Sequence, residues 1–245
     1  MRGNALFGPL GAAFAWGRHW SSLLVLLVLI ARVAGLRLFQ AQAYASATRE
    51  DLVWLTLAGY LVPAVIDAAL ICFLAQALLA REFGRSPPLL LRALGVYLLA
   101  SALTVTISAF ATLAVVSGDR SSFAVTYLPL IGLPLGAILT FPLLVRAFAA
   151  AAGIARPTLG PVCAFAFGPG RFAFLWFAIC VVMFHLLPSI VLTGLQPAGT
   201  GINGLPGTLV VSAITGTGVW LRFLLAIVAA QMATRTISPT AEVFA

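Results

Sequence analysis

Six apolar runs dominate this chain, near residues 21–39, 52–80, 93–116, 124–146, 172–195 and 207–232. Each is long enough to cross a hydrocarbon core of ~30 Å, which takes about 20 helical residues. In 245 residues that are 62% hydrophobic and only 8% charged, this much apolar surface has no soluble core to hide in. A helix satisfies its own backbone amides inside lipid, so the expectation is an all-α polytopic membrane protein with six transmembrane helices.

The positive charge orients those helices. All fourteen basic residues are arginine and the net charge is +8, but the arginines punctuate apolar runs and do not gather with aromatics on a solvated face. Topology accounts for them, and a nucleic-acid partner is not expected. With the N-terminus inside, the inner segments hold Arg2, Arg18, Arg81, Arg85, Arg92, Arg146, Arg156, Arg171 and Arg235, against Arg37, Arg49 and Arg120 outside. This bias puts both termini in the cytoplasm of a bacterial inner membrane. Trp20, Trp54, Tyr44 and Tyr127 fall near the expected interfaces, where amphipathic rings are favoured. The first run, SSLLVLLVLI, is read as an uncleaved span, because a long stretch with two arginines separates it from the small residues near Ala43.

Two phrases echo one another. GPLGAAFAWGRHW near the start and GPVCAFAFGPGRFAF later each precede a long apolar run, and REFGRSPPLLLRALGVY is a looser third copy. Arg18, Arg92 and Arg171 mark the three. The pattern predicts three hairpins, each preceded by a cytoplasmic interfacial segment, as pseudo-repeats of about 1–80, 81–155 and 156–245 in a single membrane domain spanning 1–245. Glycine, proline and interleaved aromatics suit a stretch lying in the headgroup layer. The three arginines would there contact acidic lipid.

RHW at Arg18 to Trp20, the block RPTLGPVCAFAFGPGRFAF and the closing AIVAAQMATRT together resemble the six-span membrane domain fused to bacterial glycerophosphodiester phosphodiesterases and its free-standing relatives. The resemblance covers most of the chain. It implies a membrane module, not phosphodiesterase activity, since no soluble barrel and no cluster of His and acidic residues accompanies it here.

Charges within a span are expensive unless paired or hydrated, so they mark candidate sites. Arg32, Asp67, His185 and Arg222 qualify. Thr56, Tyr60, Pro63 and Asp67 share one helical face of the second run, and Thr208, Ser212, Thr215 and Arg222 share one face of the sixth. Ser101, Thr104, Ser108 and Thr112 form a third polar face in the third run. Asp67 and Arg222 lie at matching depths, roughly 22 Å from the outer ends of their helices, which predicts a buried ion pair between them. In one reading the pair and the hydroxyl stripes clasp helices together. In the other they line a polar vestibule leading to a transport or proton-relay site. Arg32 is expected to snorkel outward beside Arg37. Pro63, Pro134, Pro142, Pro188 and the GLPLG at 132–136 fit kinks and close packing.

Catalytic and cofactor signatures are sparse. The chain lacks lysine, so Schiff-base chemistry is excluded. Cys72, Cys163 and Cys180 have neither disulfide nor zinc spacing. His19 and His185 differ in height by about 20 Å and cannot share one haem iron. H-E-x-x-H, G-x-S-x-G and Walker patterns are absent, and the glycines of GTGINGLPG sit in an outer loop with no strand before them. No cofactor and no metal are expected. The expected role is a non-enzymatic accessory or scaffold protein that binds lipid or a partner membrane subunit, with a small transporter or proton-coupled carrier using Asp67 and Arg222 as the alternative.

Overall fold

The computed structural model of the chain describes residues 6–46, 49–79, 95, 97–99, 101–102, 106, 130–151, 159–195 and 205–241. Among them almost every residue is helical and none is in a strand. Four helices are long and apolar enough to cross a membrane, and a bent pair makes a fifth if it counts as one span. The protein is thus a multi-pass helical membrane protein. The third run and the segment carrying Arg92 lie almost wholly outside the described residues.

Both echo phrases fold the same way. Gly8–Gly17 forms α1, with proline in its first turn, where the missing amide proton is no loss, and α2 follows as Trp20–Ser46 after a two-residue break. Leu159–Phe167 forms α6, and α7 follows as Arg171–Leu195 after Gly168, Pro169 and Gly170. In each case a short helix stands ahead of a long one. Gly170 has to be small, because a Cβ there would lie 2.6 Å from the ring of Phe165. Arg18 and Arg171 both sit exposed at the break, and the Arg171 guanidinium lies 5.0 Å from the Phe172 ring centroid.

Between them come α3, Arg49–Leu74, which continues as a π-helical turn through Ala75–Leu79, then α4 (Leu133–Leu139) and α5 (Phe141–Ala151). The stretch Leu130–Leu139 meets Phe141–Ala151 at a 42° bend. The kink expected at the in-span prolines is found here, because Pro134 and Pro142 flank the joint at Thr140 and proline cannot complete a helical ladder. Arg146, assigned from sequence to an inner connection, falls inside α5 and is half-buried.

Leu205–Ala241 forms α8, the central helix. Of its apolar window 72% is buried, against 22–39% for the other three long spans. It packs most extensively on α7 and α2, then on α5 and α1. Two glycines set these approaches: a Cβ on Gly216 would meet Ile30 of α2 at 2.8 Å, and one on Gly218 would run into Phe184 of α7. Close approach at small residues is the normal way to pack helices in lipid, where no hydrophobic drive exists between them. Trp220 locks α8 to the start of α2, its indole Nε1–H reaching the Ser22 carbonyl and Oγ, each at 2.9 Å. Its ring also covers Gly17 of α1.

Candidate functional site

Asp67 lies on α3 with its side chain 8% exposed. A lone carboxylate at that depth needs partners for both oxygens. Arg32 of α2 brings its Nε to 3.2 Å from Oδ1, and the Tyr97 hydroxyl donates to Oδ2 at 2.8 Å. The Nε–H is not aligned for a hydrogen bond to Oδ1, so this contact is ionic. Tyr97 is held in turn by its edge against Phe223, which packs on Phe148 of α5.

This pairing corrects the expected one. Asp67 pairs with Arg32, whereas Arg222 donates its Nε–H to the Gly218 carbonyl of its own helix at 3.1 Å. Arg222 still acts electrostatically on Asp67, Tyr97, Arg32 and Cys180. Nor does Arg32 snorkel outward: its side chain is 11% exposed. The reason is chain proximity, since α2 and α3 are sequence neighbours packed side by side. Trp20 of α2 and Phe73 of α3 make an edge-to-face contact across this seam.

Ser212 is fully buried and turns its hydroxyl back onto the Thr208 carbonyl at 2.6 Å, within α8 itself. Thr215 is half-buried on the same helix. Thr56 and Tyr60 belong to α3, but their side chains lie outside the described residues, as does most of the third run. Among the described residues no three His, Cys, Asp or Glu side chains converge as a metal site would require. His19 pairs its Nδ1 with Ser21 Oγ at 2.7 Å beside the α1–α2 break.

One crevice adjoins the cluster. It measures about 390 Å³, lies between α2 and α3, and has Arg32, Gly35, Leu36, Gly59, Val62 and Ile66 in its walls. No sequence signal marked it, because its size depends on how two helices diverge.

Comparison with protein families, curated proteins and solved structures found no match to this chain. The fold and the buried cluster define its class on their own: a multi-pass helical membrane protein with an ion pair inside the helix packing.

Proposed function

We propose that this protein is a non-enzymatic membrane module that binds an acidic lipid and presents it, or itself, to a partner membrane subunit. One observation carries the reading. The cluster gathers two arginines, Arg32 and Arg222, around one aspartate, and the sequence supplies no other acid within an apolar run. A surplus guanidinium in lipid is unfavourable by several kcal/mol, and an anion relieves it. The setting we propose is a six-span protein of the bacterial inner membrane, three hairpins with both termini cytoplasmic. Arg18 and Arg171, exposed at the two short-helix breaks, and Arg92 in the third copy would rest among acidic headgroups, each contributing about 1 kcal/mol. The resemblance to free-standing six-span membrane domains agrees with such a role.

Purification in mild detergent, followed by mass spectrometry of the intact complex, tests this. Retention of about one acidic lipid or fatty acid per chain is expected, and exclusive retention of zwitterionic lipid would overturn the reading.

The transport reading has its own support in the 42° bend at Thr140 and in Pro63 within α3 beside the cluster, since interrupted helices build transporter sites. Proton or anion flux in proteoliposomes that disappears in Asp67→Asn would favour it.

A further inference from the structure

The α2–α3 hairpin is closed at the level of Arg32 and Asp67 and open beyond it. Ala31, Gly35 and Leu36 of α2 stand apart from Ala58, Gly59 and Val62 of α3 across the crevice. At Gly35 an added Cβ would have nothing within 4 Å. Among the described residues in its walls, Arg32 alone is ionisable and the others are apolar. The mouth is marked by Phe39 and Val62, which are 50% and 58% exposed. The volume falls within the ~300–1,000 Å³ of small-ligand sites.

Three properties limit what fits. Arg32 lines the crevice whereas Asp67, 3.2 Å from its Nε, does not, so the charged group the occupant meets is a cation and the occupant is an anion. The walls are apolar, which an inorganic anion would enter only by shedding its hydration without replacement. Arg32 also lies about 18 Å along α2 from Trp20 and about 10 Å from Phe39, below the level at which a phospholipid headgroup is anchored. A single-chain acid meets all three conditions, because its neutral form dissolves in the bilayer and its carboxylate is small.

We propose that the α2–α3 crevice binds a membrane-dissolved fatty acid, its carboxylate against the Arg32 guanidinium and its methylenes along Gly35, Leu36 and Val62. This rests on the lipid-binding reading above and adds the ligand class and its place.

The test uses the full chain in phosphatidylcholine nanodiscs with stearic acid spin-labelled on its chain, its methyl ester, and spin-labelled phosphatidylglycerol. Electron paramagnetic resonance is expected to show the acid immobilised about tenfold more strongly than the ester. Gly35→Leu should abolish that preference without changing the melting temperature downward, because leucine fills open space. Gly11→Leu on α1, where a Cβ is also unopposed, should keep it. Ala58→Leu fills the crevice from the facing wall and gives a second reading if Gly35→Leu fails to fold. A preference surviving in the filled variants would overturn the crevice site and leave the lipid-binding function standing. Equal immobilisation of acid and ester would overturn the pairing with Arg32. Preference for phosphatidylglycerol over stearic acid would overturn the free acid as ligand, and immobilisation of neither acidic label would remove both proposals.

Discussion

Gly216 and Gly35 sit on neighbouring helices and do opposite things. At Gly216 of α8 the missing side chain is replaced by Ile30 of α2, close enough that a Cβ would meet it at 2.8 Å; at Gly35 of α2 the missing side chain leaves space. The α8 seams are held by shape, with Gly216, Gly218 and Trp220 bringing helix backbones together. The α2–α3 seam is held at mid-depth by charge, through Arg32 and Asp67, with a crevice beyond. Packing sites tolerate no enlargement, whereas a charge-held seam can leave room for a ligand.

The charge-held seam offers the largest test. Asp67→Ala strands the buried Arg32 guanidinium and is expected to lower stability by about 3–5 kcal/mol, while Arg32→Met with Asp67→Leu should recover most of it. Thermal unfolding of the detergent-solubilised protein measures both. Arg222→Met is expected to be milder than Arg32→Met, since it removes the surplus cation; the reverse order would restore Asp67–Arg222 as the principal pair. On the shape-held seam, Gly218→Leu pushes into Phe184 and should cost about 3 kcal/mol through overpacking, seen as loss of a monodisperse elution peak. Trp220→Phe removes the indole donor to Ser22 and should cost about 1 kcal/mol in the same melting assay. Gly35→Leu is expected to be the smallest in size and opposite in sign, stabilising by up to about 1 kcal/mol through helix propensity. A destabilisation there as large as that of Gly218→Leu would show that the two glycines are not different in kind.

Much of the architecture was legible residue by residue. The windows Trp20–Phe39, Leu61–Leu79, Arg171–Pro188 and Pro206–Ala233 fall on apolar runs read from the sequence, because hydrocarbon imposes one length and one backbone solution. The two echo phrases read as segments ahead of spans, and both fold as short helices there. Asp67 and Arg222 stood out as costly charges, and both do sit in the helix packing. The partner of Asp67 was missed because depth counted from the outer ends ranks Arg222 first, while packing places α2 beside α3. The prolines of the fourth run read as kinks, and the run bends at Thr140 between two of them.

The sequence by itself determined that this is a helical membrane protein, where its long helices run, and which few charges lie among them. Those properties follow from composition and periodicity, which act locally along the chain. Only the tertiary structure decided that Arg32 is the partner of Asp67, that α8 is the centre, that Gly216 is filled while Gly35 is open, and that a crevice lies beside a guanidinium. Those depend on crossing geometry and on which side chains meet across helices, and no single helix carries that information.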